Sequence, residues 1–255
     1  MRIAAVIPAR MQSTRLPGKP LLPIAGVPMI IRVLERARAC PDIARIIVAT
    51  DSEEIRQVVR KHGGEAWMTS PHHRSGSDRV AEVAAGLDEE FILNLQGDEP
   101  LLPASTVERL VSFARSCIGL TVVTAMVQLP HKGDIVNPNI VKVVVSQDGR
   151  ALYFSRYPIP YCKRAPLALY AGDDPQRTIE GYRKHIGIYL YKREFLLEYV
   201  RMSTTPLEVS ESLEQLRILE HGYPVFVVEA FEDSVSVDTP EDRDVVEEMI
   251  LSSKT

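Results

Sequence analysis

The sequence predicts an α/β fold in which a mostly parallel, twisted sheet is flanked by helices. In the first 120 residues, short apolar runs alternate with segments that carry apolar residues at helical spacing, as in parallel strands joined by helices. Chemically rich segments leave three of these strands, at residues 8–20, 69–78 and 96–100. Ligands bind beyond the carboxyl ends of such strands, so one shared site is expected there.

The elements of the first half follow one another closely. Apolar runs predict four strands, at residues 2–7, 45–50, 65–68 and 91–95. Helical spacing predicts helices at residues 29–40 and 77–87, a helix that Ser52 caps and a helix that Pro103 begins. Right-handed crossovers are expected between these strands.

The second half has a more β-rich pattern. Strands are expected at residues 121–127, 141–145, 151–154, 185–191, 225–229 and 235–237. Helices are expected at residues 192–202 and 211–220 and from Pro240 onward, whereas the polar stretch 157–180 predicts a long loop. No linker or repeat interrupts the chain, so residues 1–255 are expected to form a single domain.

Composition and charge limit the classes of partner. The net charge of -4 gives no general surface for nucleic acid, and no run approaches the ~18 apolar residues that span a membrane. The N-terminal apolar run meets Arg10 too early for a signal peptide. Three widely spaced cysteines form no metal or disulfide pattern, so a reducing, cytoplasmic location is expected.

The loop after the first strand, residues 8–20, concentrates basic and hydroxyl side chains. Its candidate ligand-binding residues are Arg10, Ser13, Thr14, Arg15 and Lys19. Arginine and lysine suit the adjacent anionic oxygens of a triphosphate, and Gly18 lets the backbone approach a ligand. A solvated basic loop is the alternative. The segment is not a Walker A motif, because Pro20 stands where Ser or Thr is required.

Two carboxylates are candidates for a cation site. Asp98 directly follows an apolar strand beside Gly97, and Asp238 precedes a predicted helix. Magnesium is usually held by one or two carboxylates together with substrate phosphates. A helix or turn cap is as good an interpretation of Asp98 as a cation ligand. For Asp238 a helix cap is the stronger interpretation, and only its pairing with Asp98 favours a metal role.

Other candidates carry less information when taken singly. Residues 69–78 combine hydroxyls, amides and two histidines before a helix, which fits either contact with a nucleoside or a surface turn. For five polar residues of the second half, taken singly, a solvated charge or a satisfied core polar group is the favoured interpretation over a binding role: Arg156, His185, Tyr189, Glu214 and Gln215.

Taken together, eight segments in chain order resemble the 3-deoxy-manno-octulosonate (Kdo) cytidylyltransferases: PARMQSTRLPGKPL, HHRSGSDRVAEV, NLQGDEP, NPNIVKVV, ALYFSR, HIGIYLY, LEQLRIL and VDTPED. The first segment is shared in part with acylneuraminate cytidylyltransferases, whereas its combination with YFSR, HIGIY and LEQLR is far more specific. The resemblance covers nearly the whole chain.

The resemblance implies a nucleotide-diphospho-sugar transferase-like fold, a homodimer, and CTP and Kdo as substrates for a step toward lipopolysaccharide. Residues 1–120 would mainly bind CTP, and residues 121–255 would bind the sugar acid and form dimer contacts. The implied CTP-binding residues are Ala9, Arg10, Ser13, Arg15, Lys19, His73, Arg74, Ser75 and Ser77. The implied sugar-acid pocket comprises Gln96, Arg156, His185, Tyr189, Glu214 and Gln215. Asp98 and Asp238 would bind Mg²⁺, and with Arg10 and Lys19 they would form the catalytic set.

The expected reaction is in-line attack of the anomeric hydroxyl of the sugar on the α-phosphorus of CTP, with pyrophosphate leaving. A cytidylyltransferase for a related acid, sialic acid or an amino variant of Kdo, is the nearest alternative. A glycosyltransferase would be expected to have a DxD motif, and QGDEP supplies one aspartate only. A non-catalytic nucleotide sensor would not need the second carboxylate or the sugar-acid set.

Overall fold

The computed structural model of the protein describes residues 1–12, 16–129, 131–163 and 181–252. The strands are β1 (Ile3–Ala9), β2 (Pro23–Ile24), β3 (Val27–Pro28), β4 (Arg45–Thr50), β5 (Glu65–Met68), β6 (Phe91–Asn94), β7 (Val122–Gln128), β8 (Lys142–Val145), β9 (Ala151–Ser155), β10 (Arg183–Lys192) and β11 (Phe226–Glu229). The α-helices are α1 (Met29–Arg38), α2 (Glu53–Lys61), α3 (Gly76–Ala85), α4 (Ala104–Ser116), α5 (Arg193–Tyr199), α6 (Pro206–Glu211), α7 (Gln215–Glu220) and α8 (Pro240–Ser252).

Nine of these strands form the central sheet, whose main order is β11-β7-β10-β6-β1-β4-β5. Strands β5, β4, β1 and β6 pair in parallel, and so do β7 and β11. Strand β10 is antiparallel to both β6 and β7, so within this seven-strand order it runs against the others. β8 pairs antiparallel with β10 and β9. The expected mostly parallel α/β sheet is confirmed.

Two apolar cores, one on each face of the sheet, hold the helices. Alternate residues of β1 face opposite sides: Ala5 and Ile7 join one core, and Ala4 and Val6 join the other. Helices α1, α2 and α4 cover the first core, and α3, α5 and α7 cover the second. Because both faces are covered, β1 is apolar along its whole length.

Local signals explain several boundaries. As expected, Ser52 caps α2, because its hydroxyl accepts a hydrogen bond from the Ile55 amide at 3.4 Å. The short β2–β3 hairpin, and the 3₁₀ turn Lys19–Leu21 before it, were not expected from the sequence. Among the described residues, no helix is both long and apolar enough to cross a membrane.

Two expected elements are wrong. Residues 235–237 form no strand: the buried Val237 donates its amide to the Asp98 carbonyl, and its alternating pattern reflects packing against α8. Residues 211–220 are not one helix either, because Ser212 adopts a left-handed conformation (φ 52°) that ends α6. Glu214 and Gln215 therefore lie at the start of α7 rather than in the middle of a helix.

Candidate active site

A cavity of about 280 Å³ opens beyond the carboxyl ends of β1 and β6, beside the N-terminus of α3. Most of the candidate CTP-binding and metal-binding residues line it. Its lining comprises Pro8, Ala9, Arg10, Gln12, Lys19, Pro20, Met29, His73, Ser75, Gly76, Arg79, Gln96, Gly97, Asp98 and Asp238. We call this space the first cavity.

The close approach of two strand ends shapes the first cavity. A Cβ atom added to Gly97 would lie 2.7 Å from the Pro8 carbonyl oxygen, a distance that side chains do not tolerate. Glycine therefore lets the segment after β6 pass directly beside the end of β1. As a result, Asp98 lies next to the basic loop that follows β1.

Lys19 joins the two candidate metal-binding carboxylates. Its ammonium lies 2.6 Å from Asp98 Oδ2 and 2.9 Å from Asp238 Oδ1. Burial alone would lower the pKa of Lys19, but the Asp98 and Asp238 carboxylates outweigh burial and raise it. Lys19 is therefore protonated and only 11% exposed, and it places a positive charge between two negative ones.

The same geometry tests whether a magnesium ion fits. Carboxylate oxygens of Asp98 and Asp238 converge on one point, which the Lys19 ammonium now occupies as a cation. Oxygen donors of this kind are those that Mg²⁺ prefers. The described residues contain no cluster of three or more His, Cys, Asp or Glu at metal distance, so the other ligands would come from substrate and water. The residues present fit a magnesium site of that kind.

A second carboxylate lies behind Asp98. Burial, together with the charge of the neighbouring Asp98, raises the pKa of Glu99 to about 7. The Ser234 hydroxyl donates to Glu99, and Lys184 donates to the Ser234 carbonyl at 3.0 Å. These contacts connect the segment after β11 to the segment that carries Asp98.

The N-terminus of α3 forms part of the wall of the first cavity. Ser75 and Asp78 make a capping box, in which each side chain accepts from the other's amide at 3.2 Å. Gly76 follows immediately and lies against Pro8 and Gln96. His73 also lines the first cavity, where Glu82 fixes its ring through Nε2.

Arg79 lines the first cavity but was not among the residues expected from the sequence. It is 3% exposed, donates to Asp51 at 2.8 Å and also bonds the Thr69 hydroxyl. Its place in the segment HHRSGSDRVAEV was a signal, but a single arginine on a helix carries no sign of burial. Its guanidinium ties the ends of β4 and β5 to α3 and adds a fixed positive charge to the cavity wall.

A second cavity of about 370 Å³ lies on the other side of the α3 N-terminus. Its lining includes every candidate sugar-acid residue: Gln96, Arg156, His185, Tyr189, Glu214 and Gln215. Further lining residues, not expected from the sequence, are Gly76, Val141, Gly187, Tyr191, Tyr199, Ser212 and Leu213. Ser77, a candidate for CTP, also lines this second cavity rather than the first. Gly76 and Gln96 line both spaces.

Arg156 presents its guanidinium at the second cavity, held by main-chain oxygens. Nε donates to the Glu211 carbonyl at 2.8 Å, Nη1 to Pro138 at 3.0 Å and Nη2 to Ser212 at 3.3 Å. The Glu211 carboxylate accepts the Arg156 amide at 2.9 Å. Since a guanidinium has five N–H groups, N–H groups remain beyond these three bonds for an acidic ligand.

His185 is a buried, neutral group. Burial lowers its pKa to about 3. Its Nε2 lies 2.9 Å from the Thr124 hydroxyl, which itself lies 2.7 Å from the Ile188 carbonyl oxygen. Because a carbonyl can only accept, the hydroxyl donates to Ile188 and accepts from His185 Nε2–H. We infer that Nδ1 is the acceptor of the ring.

An aromatic wall adjoins His185. The rings of Tyr189, Tyr191 and Tyr199 stack in sequence, with centroids 5.5 and 6.0 Å apart. The Tyr199 hydroxyl donates to the Glu214 carbonyl at 3.0 Å. Burial raises the pKa of the Glu214 carboxyl, although its hydrogen bond with Ser77 opposes that shift. This wall therefore combines apolar ring faces with a carboxyl group that is suited to hydroxyl partners.

Three candidate CTP-binding residues are placed in neither cavity. Ser13 and Arg15 lie outside the described residues, and Arg74 does not line the first cavity. Residues 164–180 of the expected 157–180 loop also lie outside the described residues.

Comparisons with known proteins identify the family of the chain. The profile of the cytidylyltransferase family matches residues 4–246. The 3-deoxy-manno-octulosonate cytidylyltransferase of Geobacter metallireducens is 43% identical over 98% of this chain and 98% of its own length. The corresponding protein of Neisseria meningitidis is 45% identical over 94% and 95%, respectively.

Comparison with solved structures indicates the same family. CMP:2-keto-3-deoxy-manno-octonic acid synthetase, solved in complex with CTP, superposes with a TM-score of 0.89 at 38% identity, over 99% of this chain and 100% of that one. A cytidylyltransferase from Leptospira borgpetersenii shares the fold alone, with a TM-score of 0.65 at 18% identity over 99% and 87% of the two chains. The expected resemblance is confirmed: the chain belongs to the 3-deoxy-manno-octulosonate cytidylyltransferase family.

Proposed function

We propose that the protein transfers CMP from CTP to 3-deoxy-manno-octulosonate and releases pyrophosphate. The observation that carries this proposal is the junction of the two cavities, where Gly76 and Gln96 line both. A transfer reaction needs the acceptor hydroxyl and the α-phosphorus within reach of each other. Two neighbouring spaces that share one wall meet this requirement.

The first cavity supplies the nucleotide half. Arg10 and Lys19 line it and would neutralise the phosphate oxygens, including charge that develops on the departing pyrophosphate. His73 and Ser75, beside the capped start of α3, would contact the nucleoside. We assign Ala9, Ser13 and Arg15 to the same half on the basis of the family motif.

Asp98 and Asp238 would hold Mg²⁺ once a triphosphate draws Lys19 toward its own oxygens. When bound, the ion would polarise the α-phosphate and lower the pKa of a coordinated hydroxyl. Lys19 has two tasks in this proposal. It keeps the two carboxylates together before nucleotide binds, and it then contributes its charge to the phosphate groups.

The second cavity supplies the acceptor half. Arg156 would bind the sugar carboxylate, since a guanidinium suits a planar anion. Neutral His185 and the buried Glu214 would accept hydrogen bonds from sugar hydroxyls, and Tyr189 and Gln215 complete the wall. Gln96, at the junction, would contact the sugar close to the reacting hydroxyl.

The chemistry requires positioning and charge neutralisation, and it needs no covalent intermediate on the protein. The anomeric oxygen forms a bond to the α-phosphorus as the bond to pyrophosphate breaks, and the hydroxyl proton is released. The chain aligns the two substrates across the α3 N-terminus, while Arg10 and Lys19 offset the charge of the leaving group.

We also propose a cytoplasmic homodimer whose product is used for lipopolysaccharide. Large exposed apolar side chains lie near the second cavity, on β9, the segment after it and α6: Leu152, Tyr157, Tyr161, Leu207 and Val209. Clustered exposed apolar side chains mark interaction surfaces, and tyrosine is enriched at interfaces. Light scattering coupled to gel filtration tests the assembly: a mass near 28.5 kDa at micromolar concentration would count against a dimer.

Pyrophosphate release tests the function. Purified protein is incubated with Mg²⁺, each nucleoside triphosphate in turn, and a panel of acids that includes Kdo, its amino variant and sialic acid. We expect release with CTP and Kdo, and its abolition by EDTA. Preference for another acid would reassign the acceptor. CTP binding without turnover on any acid would favour a nucleotide sensor.

A further inference from the structure

Lys142 on β8 is a fully buried lysine. Its ammonium donates to three main-chain carbonyl oxygens, those of Asn137 at 2.9 Å, Ile140 at 2.6 Å and Arg156 at 2.6 Å. All three acceptors are neutral. A methionine of similar length could occupy the space without burying a charge, so this ammonium needs a compensating role.

The three carbonyls belong to Arg156 itself and to the turn at residues 137–140, which supplies one of the three oxygens that hold the Arg156 guanidinium. One is the carbonyl of Arg156 itself. The other two flank Pro138, whose own carbonyl accepts from Arg156 Nη1 at 3.0 Å. Lys142 therefore fixes the backbone of Arg156 and one turn that holds its side chain, while the carbonyls of Glu211 and Ser212 hold the guanidinium from the other side. Val141, the residue before it, lines the second cavity.

The electrostatic surroundings depend on the same contacts. Burial, together with the nearby Arg156 charge, lowers the pKa of Lys142 to about 8. Glu211 on α6 and Asp134 oppose that shift. On the adjacent strand β10, Lys184 is paired with Asp233, and His185 is neutral. An anion bound at Arg156 would offset the repulsion between the Arg156 and Lys142 charges.

We propose that Lys142 is a positioning residue for the acceptor: its protonated amine holds Arg156 in the geometry that binds the carboxylate of the sugar acid. The inference rests on the proposed function, because it takes the second cavity to be the acceptor site. None of the three described hydrogen bonds of Lys142 reaches a residue of the first cavity, and none reaches Asp98 or Asp238. Its loss should therefore affect the sugar acid and spare CTP.

A pH dependence follows from the loss of one proton. A neutral amine has two N–H donors for three carbonyls, so deprotonation leaves one buried acceptor unsatisfied. Affinity for the sugar acid should be full below the pKa of Lys142, about 8, and should fall as the pH rises through it. Affinity for CTP should not follow this titration.

The test measures the KM of Kdo and of CTP for wild-type protein, Lys142→Met and the surface control Lys192→Met. We expect Lys142→Met to raise the KM of Kdo roughly tenfold or more and the KM of CTP less than about twofold. Lys192→Met should match wild type, because its ammonium is 43% exposed and 3.4 Å from Glu194.

Equal rises in both KM values, or an unchanged KM of Kdo in folded Lys142→Met, would overturn the inference. If that variant does not fold, the wild-type pH series decides: the KM of Kdo must rise from pH 7 to about 9 with its midpoint near the Lys142 pKa. A flat profile would overturn it. Wild-type protein that releases no pyrophosphate with any acid contradicts the proposed function instead, and this appears before any variant is compared.

Discussion

Lys19 Nζ lies 2.6 Å from Asp98 Oδ2, although the two residues are 79 positions apart in the chain. The contact joins the loop after β1 to the segment after β6. The same Lys19 Nζ also lies 2.9 Å from Asp238 Oδ1, in the segment before α8. The fold itself therefore brings together the Lys19 ammonium and the two carboxylates that we propose for phosphate and magnesium binding.

Asp98→Asn should remove most turnover and leave the fold intact. The substitution keeps the shape of the side chain but removes one of two carboxylates that fit a magnesium ion. We expect pyrophosphate release to fall at least about 100-fold, with a melting temperature close to wild type. Asp88→Asn, at an exposed position, is the matched control. Near-normal release by folded Asp98→Asn would refute the metal-binding role.

Arg156→Ala should weaken binding of the sugar acid and spare CTP. Its guanidinium lines the second cavity and contributes nothing to the lining of the first. Loss of a charged hydrogen bond predicts a KM of Kdo raised by about tenfold or more. Steady-state kinetics with each substrate varied in turn measures the effect, with exposed Arg201→Ala as control. A parallel rise in the KM of CTP would contradict the assignment.

Gly97→Ala should destabilise the protein and disturb the site together. The added methyl carbon would meet the Pro8 carbonyl oxygen at 2.7 Å, and backbone cannot move aside cheaply. We expect a loss of about 1–3 kcal/mol in the free energy of unfolding. Urea denaturation measures it. Gly133→Ala is the control, because nothing lies within 4 Å of its added carbon, and an equal loss there would rule out the steric explanation.

His185→Gln should make stability less sensitive to acid. In the folded protein the pKa of His185 is about 3, against an ordinary 6.5, so the unfolded chain takes up a proton first. Wild-type stability is thus unaffected above pH 6.5 and should fall by up to about 1.4 kcal/mol per pH unit below it. The stability difference between wild type and variant, measured by denaturation from pH 7 to about pH 4.5, should follow that slope. A constant difference would show that His185 takes up its proton equally in both states.

Local patterns in the sequence were sufficient for the fold class and for much of the site. The apolar runs predicted the strands around β1, and strand-end chemistry predicted that residues 8–20 and 96–100 would meet. Family membership and the cytidylyltransferase type, which rested on resemblance, are confirmed by the comparisons. The individual roles of the binding residues, the metal, the dimer and the cellular location stay predictions.

Features that depend on distant contacts could not be predicted. Val237 alternates like a strand residue, yet its buried amide pairs with the Asp98 carbonyl. The insertion of β10 between β6 and β7 leaves no local signal, because antiparallel and parallel partners present the same apolar residues. Burial of Lys142 and Arg79 was likewise hidden, since both residue types are ordinarily exposed.

Strand β10, which runs against its neighbours, has a consequence for engineering. It carries His185 and Tyr189, and the other residues beyond position 120 that we propose for acceptor binding line the same second cavity. The loop that we propose for phosphate binding follows β1, which lies in the parallel part of the sheet formed by β5, β4, β1 and β6. Substitutions in the later segments could therefore change the acceptor specificity, while the residues around the first cavity stay unchanged. Two residues would have to be kept in such a redesign: Asp238, which lies in the later segments but lines the first cavity, and Gln96, which lines both cavities.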